Sequence, residues 1–451
     1  MRFPGGAAAD HLAALRSDLA AWKAPRPMRI LVLSWEYPPR VVGGLGRHVH
    51  ALTRSLVEQG HQVHVVTRDH PDAPPEELVG DVHVTRVSEA PPVIPFDDLV
   101  AWVLAFNNRV QSAAARIVAE HDVDVIHAHD WLVAYAAAGL KDSTGVPLVA
   151  TVHATEYGRH QGYLPGPMNK LIHQIEWWLT YEARRVVTCS AYMREQVSRI
   201  FELPADKVDV IPNGVAVADF ALPDAEVAAF RRTLTPDGEK LVLFAGRLEY
   251  EKGVQTVLHA IEHVQDAVGP VRVLIAGVGT YSQELRRLVD ELEVADRVRF
   301  TGFLEDHALR LHYAAADVAV APSIYEPFGL VAVEAMACGT PVVVGDTGGL
   351  REIVADGHGL SFPPQDERQL AGRLVEVLSD PSLVDDLVER GRDRIQQRYD
   401  WGAVARATVA VYARAVAEER RLREAGAVED RRPLRAILHD AEILELDGLG
   451  G

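Results

Sequence analysis

The sequence predicts an α/β protein built from two doubly wound domains that face each other across a cleft. Three observations carry that expectation. From Met28 onward, short β-branched runs alternate with longer amphipathic stretches, the rhythm of parallel sheets covered on both faces. Pro212-Asn213-Gly214 breaks the rhythm, and after a weakly patterned stretch it restarts near Lys240. The 451 residues suit two or three domains at roughly 150 residues each.

In chain order, the first half offers strands at Ile30–Ser34, Val63–Thr67, Val82–Val87, Val123–His127, Leu148–Val152, Val186–Cys189 and Val208–Ile211. Helical patterns lie between them at Gly44–Gln59, Leu99–Glu120 and Trp131–Leu140. The second half offers strands at Leu241–Ala245, Val271–Ala276, Val298–Thr301, Val318–Ala321 and Pro341–Val344, with helices at Gln255–Val264 and Ser282–Leu292. A helical pattern runs from Pro381 to about Glu419, and a charged tail follows. Residues 1–27 read as an extension with a short amphipathic helix at His11–Trp22. Asp10, Arg16, Asp18 and Lys23 interrupt the apolar core that a signal peptide needs.

Composition excludes several classes. Hydrophobic residues at 48% and charged residues at 24% are ordinary globular usage, so wholesale disorder is ruled out. Forty-six basic against 64 acidic residues give a net charge of −18, a poor partner for nucleic acid or anionic lipid. No window reaches the roughly 18 continuous apolar residues of a transmembrane segment. Cys189 and Cys338 stand far apart, too few for a disulfide framework, and the expected location is cytoplasmic.

Ligands of open parallel sheets bind beyond the carboxyl ends of the strands, and three motifs fall there. Gly43-Gly44-Leu45-Gly46 follows the first strand and its Pro38-Pro39 turn and opens a helix. Glycines admit close backbone approach and free helix N–H groups attract anions. The spacing is not G-x-G-x-x-G, and a plain turn fits equally well. Gly246-Arg247-Leu248-Glu249-Tyr250-Glu251-Lys252-Gly253 follows the first strand of the second half. Its planar guanidinium and point-charge ammonium suit a diphosphate, or simply form a solvated pair. Glu326-Pro327-Phe328-Gly329-Leu330 leads into a helix that carries Glu334. The carboxylates suit sugar hydroxyls, and the amides of Phe328, Gly329 and Leu330 suit phosphate.

These motifs resemble those of retaining glycosyltransferases of family 4, which have the GT-B fold of two Rossmann-like domains. The likeness spans about Met28 to Glu418. Ser34-Trp35-Glu36-Tyr37-Pro38-Pro39, His127-Ala128-His129-Asp130-Trp131 and Thr151-Val152-His153-Ala154-Thr155-Glu156 look like the family's α-1,4-glucan branch, that of archaeal glycogen synthases and a mycobacterial glucosyltransferase. The resemblance implies a first, acceptor-side domain over 28–213, rejoined by a C-terminal helix at about 396–418, a nucleotide-sugar domain over 214–395, and a tail over 419–451. It implies transfer of glucose from UDP- or ADP-glucose to the nonreducing end of an α-glucan or maltooligosaccharide, with no metal or other cofactor.

By position, the resemblance gives Arg247 and Lys252 the donor diphosphate, with Gly43, Gly44 and the Phe328–Leu330 amides nearby. Glu334 would take the ribose hydroxyls, Phe303 the base, and Glu326 the donor glucose near its reacting carbon. His153 and Asp130 would contact donor sugar and acceptor, with Glu36 and Tyr157 on the acceptor side. Val41 stands where starch-type bacterial glycogen synthases carry lysine, which argues against that family.

Competing readings attach to the same residues. His127 and His129 mimic a His-x-His metal motif, without a second ligand cluster. Asp122-Val123-Asp124 mimics the Asp-x-Asp of metal-dependent transferases but reads as a strand-entry turn. Trp177, Trp178 and Tyr181 read as packing residues, and His48, His50, His61 and His64 as surface or core. Glu156–Tyr163 is a polar loop suited to glucose rings, and Asp346-Thr347-Gly348-Gly349 a lining of the phosphate pocket. A nucleotide-sugar epimerase or hydrolase, or a family 4 enzyme with another acceptor, is the alternative function.

Overall fold

The computed structural model describes residues 26–88 and 99–426. The expected helix at His11–Trp22 and the tail beyond residue 426 lie outside them. The chain forms two compact units. One takes its described residues from the chain up to Ile211 and again from Gly402 onward; the other is Pro212–Trp401.

The first unit holds eight strands: β1 (Arg29–Leu33), β2 (Gln62–Arg68), β3 (Glu76–Val79), β4 (Val82–Val87), β5 (Val125–His129), β6 (Leu148–Val152), β7 (Arg185–Thr188) and β8 (Val208–Val210). Their order is β3-β4-β2-β1-β5-β6-β7-β8, and only the β3/β4 pair is antiparallel among them. The chain steps outward from β1 and then reverses through β5, so the switch point lies between β1 and β5. Every residue of β5, β6 and β7 is buried, which is why those runs read as continuous rather than alternating. Register pairs Leu33 with Ala128 and His129 with Thr151, so the loops after β1, β5 and β6 leave the sheet side by side.

Strand β5 runs two residues later than the sequence pattern suggested. Asp124 lies outside the strand and caps its entry, accepting from the Arg29 amide at 2.8 Å and from Arg26 Nη2 at 2.6 Å. This entry turn is at the opposite end of the sheet from the ligand loops.

The final helix, Trp401–Glu424, packs on the first unit. The Tyr412 hydroxyl meets His127 Nδ1 at 2.7 Å, Arg414 reaches Asp209 at 2.6 Å, and Glu419 takes Arg184 at 2.7 Å.

The second unit holds β9 (Lys240–Ala245), β10 (Val271–Ala276), β11 (Val298–Gly302), β12 (Val318–Ala321), β13 (Val342–Gly345) and β14 (Leu360–Phe362). They are parallel in the order β11-β10-β9-β12-β13-β14, with the switch between β9 and β12. Helices Val254–Val268 and Glu367–Ser379 cover one face, burying Val257, Ile261, Leu370 and Leu374. Each such side chain contributes roughly 1.5–3 kcal/mol.

Candidate active site

In the second unit, the loops after β9, β12 and β13 are tied into one piece. Gly253 has φ 73°, and a Cβ there would lie 2.0 Å from the Pro322 carbonyl oxygen. Only glycine allows both the left-handed turn and that approach. The Ile324 amide donates to the Glu251 carbonyl at 2.8 Å, and the Gly349 amide to the Glu326 carbonyl at 3.0 Å. At the junction, Lys252 Nζ donates to Glu326 Oε2 at 2.8 Å, and Ser323 Oγ to the same oxygen at 3.2 Å. Arg247 is half-exposed on the same loop, 3.8 Å from Glu251.

Helix Leu330–Ala337 starts directly behind this junction. Its cap, Gly329, has φ 106°, and a Cβ would meet Leu350 Cδ2 at 2.4 Å. The helix therefore presents its first turn at the end of β12. Phe328 is buried edge-on to Tyr399, with ring centroids 5.8 Å apart. Glu334 is buried one turn in and accepts from the Tyr313 hydroxyl at 3.3 Å. Phe303 follows β11, two strands from β9, and exposes more than half of its surface. Asp346 turns to Arg351 at 2.6 Å, while Gly349 joins the Glu326 loop.

In the first unit the corresponding loops bring histidines together. His129 Nδ1 and His153 Nε2 lie 3.0 Å apart, and the His48 ring stands edge-on to His153 at 4.8 Å. Asp130 takes φ 59° and ψ 176°, a conformation that costs a non-glycine residue about 1–3 kcal/mol. Its Oδ1 accepts the His153 amide at 2.7 Å, which holds it there. Burial raises the Asp130 carboxyl to about 6, against the pull of the Arg159 charge and the His153 amide. Burial, with Arg159 adding to it, lowers His153 to about 4. Arg159, on the loop after β6 and 3.7 Å from Glu156, is thus the charge that acts on both groups.

That loop is held from behind. Glu176, on helix Pro167–Glu182, accepts the Glu156 amide with Oε1 at 2.8 Å and Oε2 at 3.1 Å. Burial raises its carboxyl to about 8. Tyr157 packs in its own loop, against His173 and under Gly162.

Glu36 is buried, and its Oε2 accepts the amides of Val42 at 2.7 Å and Gly43 at 3.1 Å. The glycine turn is thus already occupied by a carboxylate of the chain itself.

Two sequence readings change. Trp177 and Tyr181 are exposed and stack on each other, with centroids 5.5 Å apart, because positions four apart share the outer face of their helix; Trp178 packs on Tyr135. His127 spends both ring nitrogens, on Tyr412 and on Thr151, each at 2.7 Å, so it has no lone pair for a metal. Among the described residues, the metal-ligating types that converge are instead His48, His129 and His153, with one ligand atom from each within 4.8 Å of the others. His48 carried no functional expectation; its place one turn past the glycines is the signal that points to it.

Two Rossmann-like units, one with a lysine–glutamate ion pair at its switch point, define a GT-B glycosyltransferase architecture. Sucrose-phosphate synthase from Thermosynechococcus elongatus superposes with a TM-score of 0.75 at 28% identity, covering 87% of this chain and 100% of that one. Starch synthase IV from Arabidopsis thaliana, bound to ADP and acarbose, shares the fold at a TM-score of 0.69 and 20% identity, over 87% of this chain and all of its own. Residues 42–219 match the model for Glycosyltransferase Family 4, and residues 227–394 that for Glycosyl transferases group 1. Glycogen synthase of Mycobacterium tuberculosis is 39% identical over 408 residues, 87% of this chain and 96% of its own. An uncharacterized glycosyltransferase of Methanocaldococcus jannaschii is 38% identical over 389 residues, 85% and 98% of the two chains. The chain belongs to glycosyltransferase family 4.

Proposed function

We propose that this chain is a retaining glucosyltransferase of the glycogen synthase kind. It moves glucose from UDP- or ADP-glucose to the nonreducing end of an α-1,4-glucan, in the cytoplasm. The observation that carries this reading is the Lys252–Glu326 contact, 2.8 Å across the β9/β12 switch point and on the loop that also carries Arg247, in a chain 39% identical to a glycogen synthase.

Arg247 and Lys252 take the donor diphosphate with the amides of Phe328, Gly329 and Leu330. Glu334 takes the ribose and Phe303 the base. Glu326 lies against the donor glucose, while His153 and Asp130 serve the sugar and the acceptor hydroxyl. As the glycosidic bond breaks, negative charge grows on the leaving diphosphate. A cation at about 4 Å supplies roughly 4 kcal/mol against it at an effective dielectric near 20.

Retention in glycosidases uses two carboxylates about 5 Å apart. The groups on the Glu326 carboxylate are an ammonium and a hydroxyl, Lys252 and Ser323. That environment favours a same-face displacement, in which a leaving phosphate oxygen takes the proton of the incoming hydroxyl. The experiment is incubation with UDP-glucose or ADP-glucose and maltooligosaccharide, followed by chain-length and anomeric analysis. Extension by α-1,4-linked glucose supports the reading; donor turnover without an acceptor refutes it. Transfer to inositol phosphate but not to glucan would move the acceptor towards that of D-inositol 3-phosphate glycosyltransferases, of which that of Frankia alni is 34% identical.

A further inference from the structure

We propose that Glu36 is a positioning residue for the transfer reaction: its carboxylate is the built-in anion that fixes the glycine turn and the start of helix Gly44–Glu58. Successive N–H groups in such a turn, ahead of a helix, form a nest that attracts an anion. Here the Val42 and Gly43 amides converge on Glu36 Oε2, at 2.7 and 3.1 Å, and the carboxylate is almost fully buried. These two amides are spent on the protein and are not available to a donor phosphate.

The next glycine follows from the same arrangement. A Cβ on Gly46 would stand 3.1 Å from Glu36 Oε2 and 3.2 Å from Glu36 Cβ. Ser34 Oγ donates to the Glu36 carbonyl at 2.7 Å, fixing the backbone from which the carboxylate extends. The effect of Glu36 is carried onward by the helix. His48, buried in its first turn and a half, lays its ring edge-on to His153 at 4.8 Å. Glu36 therefore acts through the turn on the placement of His48, and through His48 on His153.

The inference rests on the proposed transfer reaction, and the test separates the two. Glu36→Ala should lower kcat by about 100-fold, the scale of a displacement of about 1 Å at reacting groups. Sodium formate, small enough to enter the vacated nest, should restore much of that loss saturably, while sodium chloride at equal ionic strength should not. Formate should also raise the Tm of Glu36→Ala and leave the wild-type Tm unchanged. Gly46→Ala, in which the carboxylate is present but pushed, should lose rate without formate rescue. An Ala variant that keeps kcat within about twofold of wild type overturns the proposal. So does one that formate neither reactivates nor stabilises. If Glu36→Ala does not fold, Gly46→Ala decides, and near-normal kcat in it counts against the role. If even the wild type transfers no glucose, the functional reading fails, and the formate-specific Tm shift alone decides whether the nest is as described.

Discussion

Replacing Glu326 by Gln should lower kcat steeply while leaving donor binding intact or tightening it. Glu326 Oε2 holds Lys252 Nζ at 2.8 Å, with both side chains largely shielded from solvent. The gross attraction is roughly 6 kcal/mol at an effective dielectric near 20, and a hydrogen bond to a charged group keeps about 1.5–3 kcal/mol of net value. A donor diphosphate must draw Lys252 away from that partner. Gln removes the competing charge, so UDP affinity should rise by up to about tenfold, the equivalent of about 1.4 kcal/mol. The reacting carbon then loses its negative neighbour, and kcat should fall by roughly 10²- to 10³-fold. Glu334→Gln should do the opposite, because contacts to ribose are equal in ground and transition states: KM rises and kcat holds. Calorimetric UDP binding and steady-state kinetics on maltooligosaccharide measure both variants. Near-normal kcat in Glu326→Gln, or UDP affinity that falls in step with its kcat, would refute the placement of the sugar beside this carboxylate.

Three further expectations follow from the same geometry. Asp130 titrates near 6 in the folded chain against an ordinary 3.8. Its protonated form thus stabilises the fold fully below about pH 4, and that contribution is lost as pH rises through about 6. If its carboxylate serves the reaction, kcat/KM should climb through about pH 6, and Asp130→Asn should abolish that limb; His153, lowered to about 4, cannot produce it. If Arg247 and Lys252 take the diphosphate as proposed, activity should persist in excess chelator; a loss restored by metal would turn attention to His48, His129 and His153. Tyr412→Phe strips the hydroxyl from buried His127 and should cost about 1–3 kcal/mol in denaturant unfolding.

The strands at Val82–Val87, Leu148–Val152, Val271–Ala276 and Val318–Ala321 coincide with the sequence pattern: Leu148–Val152 and Val318–Ala321 are short apolar runs buried throughout, while Val82–Val87 alternates valine with polar residues. Two strands carry no such signal. Glu76–Val79 is a half-solvated edge strand reading Glu-Glu-Leu-Val, and Leu360–Phe362 is only three residues long. The strand expected at Val123–His127 runs instead over Val125–His129: Asp124 serves as an entry cap, and His129, which the pattern left beyond the strand, is buried in it beside His153. The helix expected from Trp131 opens instead as a 3₁₀ turn at Trp131–Val133 before Ala134–Thr144.

The placement of the candidate site was legible where the signal is local. The Arg247–Lys252 loop and the Glu326–Glu334 element lie at the ends of β9 and β12, as motif and strand together required. It was illegible where a distant residue sets the role. Nothing in Gly43-Gly44-Leu45-Gly46 reveals that Glu36 fills its turn, nor does Glu156 show that Glu176 grips its amide.

The return of helix Trp401–Glu424 to the first unit has a consequence for synthesis on the ribosome. The second unit is one uninterrupted stretch, Pro212–Trp401, with its own apolar core, and all of it has emerged while the first still lacks a piece. Until the Trp401–Glu424 stretch emerges, His127 has no Tyr412 and Arg184 no Glu419. The half that is made first is therefore finished last. A nascent chain whose emerged part ends near residue 400 would carry a complete second unit and an N-terminal sheet with unpaired polar groups and a bare apolar face, the kind of surface that recruits chaperones.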